Sequence, residues 1–218
     1  MNTDLVTYYK ERAREYERIY AKPDRQGDLQ RATVILQTLF AGKTVLEIAC
    51  GTGYWTERIC KNAKSVLATD INKTMIDIAQ QKALLNTEVA FGIADIFSFK
   101  ASHEYDSLFG GFIWSHIPLQ TLDKFLDIVS HFVQPGGTIV FMDNNFVAGS
   151  NHPVTGTDEN GNSFQTRKLE NGTTHFVLKN FATETFLRRK LSGIATNIQF
   201  INLKYFWILS YTSILKES

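Results

Sequence analysis

The stretch from Thr44 to Asp70 limits most strongly what this chain can fold into. Thr44 to Ala49 is a short apolar run with β-branched residues, which predicts a buried parallel strand. It ends in the turn Gly51-Thr52-Gly53; a helical segment follows from Trp55 to Asn62, and a second apolar run, Ser65 to Thr69, stops at Asp70. The whole is one strand–turn–helix–strand unit with its glycines at the first crossover. Glycine is needed there because side chains would hold the backbone away from a ligand lying over the turn. An acidic residue at the tip of the second strand can accept both hydroxyls of a ribose.

A dinucleotide would need a third glycine, in Gly-x-Gly-x-x-Gly, for close helix–strand packing around the pyrophosphate; Thr56 stands in that place. Glu47 lies inside the first strand just before the turn, where a carboxylate repels a pyrophosphate and suits a cation. A ligand with a ribose, no phosphate and a positive charge is S-adenosylmethionine (SAM). At these residues the chain resembles the class I SAM-dependent methyltransferases. Their first motif, an acidic residue before a Gly-x-Gly turn, reads here Val45-Leu46-Glu47-Ile48-Ala49-Cys50-Gly51-Thr52-Gly53, with Ala49 where the family often has glycine. The resemblance implies a doubly wound, Rossmann-like α/β fold with a seven-stranded, mostly parallel sheet and a C-terminal antiparallel strand pair. It implies SAM as cofactor, S-adenosylhomocysteine (SAH) as product, and cofactor contacts from Glu47, Ala49, Cys50, Gly51, Gly53, Asp70 and Ile71.

With 218 residues, one domain with a full core is expected. No apolar run reaches the roughly eighteen residues that span a bilayer, and the polar N-terminus carries no signal-peptide pattern, so a cytoplasmic location is expected. Cys50 and Cys60 have no metal-ligand spacing, and no metal is expected. The formal net charge is +1 without a Lys/Arg block, which argues against nucleic acid or anionic membrane as partner.

In order along the chain, apolar spacing predicts a helix from Asn2 to Tyr20 with an aromatic face, and a second from Leu29 to Phe40. The first is either a packing helix or, by the resemblance, a segment folded over the cofactor. In the second case Tyr8, Tyr9, Arg12 and Tyr16 face the methionine end or the acceptor, with Arg12 on the cofactor carboxylate. After Asp70, a helix is expected over Lys73 to Leu85, N-capped by Asn72, and a third strand over Thr87 to Gly92. The family places adenine contacts at its end, here Asp95 and Ile96. A fourth strand begins at Asp106, and the resemblance implies that the loop after it brings Gly110, Gly111 and Phe112 beside the methionine moiety. His116 is either a proton-transfer group or a packing residue. Leu119 to Val133 reads as an amphipathic helix ended by Gln134-Pro135-Gly136-Gly137, before a strand from Thr138 to Met142. Asp143-Asn144-Asn145-Phe146 at the end of that strand is either acceptor-site material or a polar turn.

Val147 to Asn180 exceeds the minimal fold, and Glu170-Asn171-Gly172 between two short strands marks a β-hairpin over the acceptor side. A helix over Thr183 to Ile194 and two β-rich runs, Thr196 to Leu203 and Lys204 to Ile214, supply the closing strand pair. The expected division is therefore a helical cap (1–43), a cofactor-binding core (44–146), an acceptor-side insertion (147–180) and a C-terminal helix with a strand pair (181–218). The implied reaction is in-line displacement of a SAM methyl group by an O, N, S or C nucleophile of a small molecule, in a monomer or homodimer. His116, Tyr8, Tyr16 and Asp143 are the catalytic candidates. The alternative is a catalytically silent SAM-binding or scaffold protein of the same fold.

Overall fold

Alternate residues of β1 (Thr44–Ile48) pack into two different hydrophobic clusters, one on each face of a central sheet. A computed structural model of the chain describes residues 3–84, 88–100 and 105–214. Val45 joins Leu36 and Phe40 of the segment around α2 (Gln26–Leu39) and Ile59 of α3 (Thr56–Ile59). Leu46 and Ile48 join Phe125 and Val129 of α5 (Leu122–Ser130) and Leu187 of α6 (Glu184–Leu191). Helices thus cover both faces, and the strands read as nearly continuous apolar runs for that reason.

The sheet contains β1, β2 (Ser65–Asp70), β3 (Glu88–Ile93), β4 (Tyr105–Gly111), β5 (Val133–Asn144), β9 (Ala195–Asn202) and β10 (Phe206–Ser213), in the order β3-β2-β1-β4-β5-β10-β9. The first five strands run parallel, and β10 pairs antiparallel with both β5 and β9. This is the expected seven-stranded sheet with its antiparallel closing pair. β1 lies between β2 and β4, with Ile48 opposite Thr69 and Gly110, so the winding reverses there. Ligands of doubly wound sheets bind at the carboxyl ends of the strands flanking such a point. A second sheet of β6 (Gly156–Thr157), β7 (Ser163–Lys168) and β8 (Thr174–Leu178) contains the expected hairpin with one added strand.

Some boundaries differ from expectation. The N-terminal helix is α1 (Thr3–Arg12) followed by a 3₁₀ segment, Ala13–Tyr20. The helix after Asp70 is the short α4 (Lys73–Ala79), and Asn72 sits at its N-cap without a side-chain capping bond. Asn2, Leu85 and Thr87, where three expected elements begin or end, lie outside the described residues. Pro135-Gly136-Gly137 does not stop α5, which ends at Ser130. Val133 is fully buried and already pairs with Tyr105; the next pair is Ser107 with Thr138, so the Pro-Gly turn bulges out of β5. No helix among the described residues is long and apolar enough to cross a membrane.

Candidate functional site: two chambers sharing an aromatic wall

The turn after β1 is shaped by left-handed backbone at Ala49 (φ 51°), Gly51 (φ 57°) and Gly53 (φ 76°). Beyond it lies a cleft of about 800 Å³. Its wall includes Ala49, Gly51, Asp70, Ile71, Ile96, Gly111, Phe112 and His116, together with Tyr9 and Tyr16 from the N-terminal segment. Among the described residues of this lining Asp70 is the one acid, and no lysine or arginine joins it. Its carboxylate accepts the backbone N–H of Gly51 (3.0 Å) and of Asn72 (2.8 Å), which fixes it at the tip of β2 between two turns. Burial raises its pKa, against those same backbone bonds.

The remaining expected cofactor residues lie around the cleft rather than on it. Glu47 shares the face of Val45 and is buried beneath the turn, where its carboxylate accepts the Thr56 hydroxyl at 2.6 Å. Burial raises its pKa to about 8. The Cys50 thiol is buried and pushed well up in the same way, so it is no nucleophile. Gly53 serves packing: a Cβ there would stand 3.0 Å from that of Ala79. Asp95 accepts the Phe97 N–H in a local turn. Gly110 likewise makes room for Phe141, 2.8 Å from where its Cβ would be, whereas Gly111 faces the cleft.

A second chamber, of about 750 Å³, adjoins the first. Tyr9, Tyr16 and Phe112 line both and form the shared wall. Phe112 is held there in a left-handed conformation, φ 61°. The second lining includes Arg12, Lys22, Arg25, His152, Arg167 and Lys179. Arg12 thus faces this chamber, where it donates to the Tyr8 hydroxyl at 2.9 Å. Tyr8 itself is buried between α1 and the hairpin, in a cluster with Leu5, Leu169 and Val177.

Of the catalytic candidates, His116 and Tyr16 reach the cleft and Asp143 does not. His116 Nδ1 lies 2.6 Å from the Leu178 carbonyl, which can only accept, so Nδ1 carries the proton. Nε2 then accepts the Tyr9 hydroxyl at 2.7 Å. Burial, followed by the charge of Lys179, lowers the His116 pKa to about 3, leaving a neutral imidazole with both nitrogens engaged. Asp143 is buried and accepts from Lys179 Nζ (2.9 Å) and the Ser115 N–H (2.9 Å). Burial alone would raise its pKa; Lys179 holds it below the usual carboxylate range.

Lys22, Arg25 and Lys179 belong to no sequence motif. Lys22 and Arg25 lie three residues apart, but Lys179 meets them from a segment far away in the chain, and no spacing along the sequence encodes that meeting.

A model of a methyltransferase domain matches residues 45–137. Malonyl-[acyl-carrier protein] O-methyltransferase 2 of Ilyobacter polytropus is 30% identical over 101 residues, covering 44% of this chain and 38% of that enzyme. The match therefore spans well under half of that relative. Among solved structures, DhpI in complex with SAH superposes with a TM-score of 0.80 at 26% identity, covering 96% of this chain and 95% of DhpI. A complex of DhpI with SAM and HEP gives a TM-score of 0.76 at 25% identity, covering 97% and 99%.

Proposed function

The chain belongs to the class I SAM-dependent methyltransferases, and from that premise we propose that it transfers a methyl group from SAM to a small-molecule acceptor seated in the second chamber. The observation that carries this reading is the pair of chambers meeting at Tyr9, Tyr16 and Phe112 above the glycine turn. The donor set of the first chamber fits SAM. It offers one carboxylate, Asp70, for a ribose and apolar walls for a base, and it has no cation to repel a sulfonium. The Tyr16 ring covers Gly51, its edge 3.6 Å from where a Cβ would stand. A pyrophosphate would find no basic partner in that lining.

In this reading Asp70 binds the ribose, Ile96 and Ile71 flank the adenine, and Gly111 and Phe112 border the methionine end. Bound there, SAM supplies an electrophilic methyl group on a sulfonium and leaves as a neutral thioether that needs no proton. The protein's task is positioning, which can supply several orders of magnitude in rate. Tyr9, fixed by His116, and Tyr16 keep the shared wall rigid. Burial raises the pKa of both phenols, so they remain protonated and exclude water rather than abstract protons. The division into cap, core, insertion and closing strands is part of the same proposal, with the insertion supplying Arg167 and Lys179.

Thermal denaturation with SAH and, in parallel, NADH tests it, on wild type and Asp70→Ala. At about one hundred times the dissociation constant, SAH should add roughly 2.7 kcal/mol of stability, and Asp70→Ala should remove most of that gain. Folded protein that ignores SAH would overturn the reading in favour of a scaffold. A preference for NADH would replace it with an oxidoreductase. SAH binding with no turnover on any acceptor would leave a silent binder.

A further inference from the structure

The two chambers carry opposite electrostatics. Among the described residues, the first presents one carboxylate and no lysine or arginine; the second presents Arg12, Lys22, Arg25, Arg167 and Lys179 and no aspartate or glutamate. Lys179 is neutralised by Asp143. Among the ion pairs of the described residues, none joins Arg12, Lys22, Arg25 or Arg167 to a carboxylate.

These four cations converge in two pairs on neutral oxygens, and Arg167 also donates its Nε and Nη2 to Gln165 Oε1, at 3.3 and 2.6 Å. Arg12 and Arg167 both donate to the Tyr8 hydroxyl, at 2.9 and 3.2 Å. Lys22 and Arg25 both donate to the Ser150 carbonyl, each at 3.2 Å, and Arg25 also to the Ser150 hydroxyl at 2.9 Å. Arg25 is 7% exposed. Like charges gathered in a partly enclosed space repel one another; Asp24 offsets part of this at Lys22 and Arg25, and a neutral oxygen compensates little of the rest. The His152 imidazole stands in the same wall, where burial first, then Arg167, Arg12 and Lys22, hold its pKa below the usual range.

Resting on the methyltransferase reading of this site, we propose that the acceptor is an oxyanion, its phosphoryl or carboxyl head held between Arg12 and Arg167 on one side and Lys22 and Arg25 on the other. Guanidinium forks match such heads in bidentate geometry. With an oxygen of that head as the nucleophile, the oxygen–carbon bond forms as the carbon–sulfur bond of SAM breaks, no proton has to be removed and no general base is needed, which agrees with a shared wall of protonated phenols and a neutral imidazole. The cation-free first chamber would not compete for it, so each chamber selects its own ligand by charge.

The test is a thermal-shift and calorimetric titration of the SAH-saturated protein with inorganic phosphate, acetate and glycerol, at ionic strength held constant with potassium chloride. Phosphate or acetate should raise the melting temperature, the stronger of the two naming the head group, and glycerol should not. Arg167→Gln should weaken anion binding by about tenfold or more. Lys22→Gln, at an exposed position, should weaken it by severalfold while leaving the fold and the SAH shift intact. If both anions act no differently from potassium chloride, or if Lys22→Gln and a folded Arg167→Gln bind them like wild type, the oxyanion proposal is overturned. An intact SAH shift in that same experiment leaves the methyltransferase reading standing; its loss removes both.

Discussion

Ala49 and Phe112 are two non-glycine residues held in left-handed backbone, and both line the first chamber. At Ala49 the conformation costs an L-residue roughly 1–2 kcal/mol, and glycine would recover that at an entropic cost of roughly 0.5–1 kcal/mol. Ala49→Gly should therefore raise the unfolding free energy by up to about 1 kcal/mol in urea denaturation of the ligand-free protein. A clear loss would mean that the methyl group packs rather than strains. The sequence marked this position through its place before the Gly-x-Gly turn, and it located Asp70 by the same logic. It could not distinguish Gly110, which accommodates Phe141, from Gly111, which faces the cleft, because both meet a backbone constraint that only three-dimensional neighbours separate. For His116 it left two roles open, and the hydrogen bonds to Leu178 and Tyr9 decide the ring's tautomer from residues far away in the chain.

At the scale of elements, the parallel core was legible because buried strands announce themselves as apolar runs and crossovers as turn residues. Helix ends were less so: α3, α4 and α5 are each shorter than their apolar patterns, since those patterns continue into turns that pack against the same core. The hairpin was legible from Glu170-Asn171-Gly172, but its docking was not. Leu5 and Tyr8 of α1 pack against Leu169 and Val177 of the hairpin, and Arg18 pairs with Glu170. Cap and insertion thereby form one roof over the second chamber. Leu169→Ala should destabilise this roof by about 2–4 kcal/mol, in the range for a buried leucine. Because the cluster is small and separate from the main core, the effect belongs to local opening rather than global unfolding. Limited proteolysis should cut the N-terminal segment at least tenfold faster in the variant, with the global melting temperature shifted far less. Equal shifts in both would make the roof part of the main cooperative unit.

For the molecule as a whole, the groups buried around the switch point set how stability depends on pH. His116 falls from 6.5 to about 3 on folding, so between those values the unfolded chain binds a proton that the folded chain refuses, and stability rises with pH. Glu47 moves the other way, from 4.5 to about 8, so between those values the folded chain keeps a proton that the unfolded chain releases, and stability falls with pH. Between 4.5 and 6.5 the two slopes oppose and largely cancel. Above 6.5 the His116 slope has ended and the Glu47 slope, roughly 1.4 kcal/mol per pH unit, is no longer opposed by it until it ends near 8. Asp70, also raised by burial, adds to the fall with the same sign. Asp143, held low by Lys179, contributes stability that is lost only as pH drops through its depressed value, which steepens the acid limb. The ligand-free protein should therefore be most stable in mildly acidic solution and lose stability from pH 6.5 to 8. Glu47→Gln removes the titration while its amide oxygen still accepts the Thr56 hydroxyl. Urea unfolding from acid to pH 8 should find the alkaline decline flattened in the variant, and the level stretch between 4.5 and 6.5 replaced by a continued rise from His116. A decline of wild-type steepness in Glu47→Gln would mean that Glu47 is ionised in the folded protein at neutral pH, and that the slope has another origin.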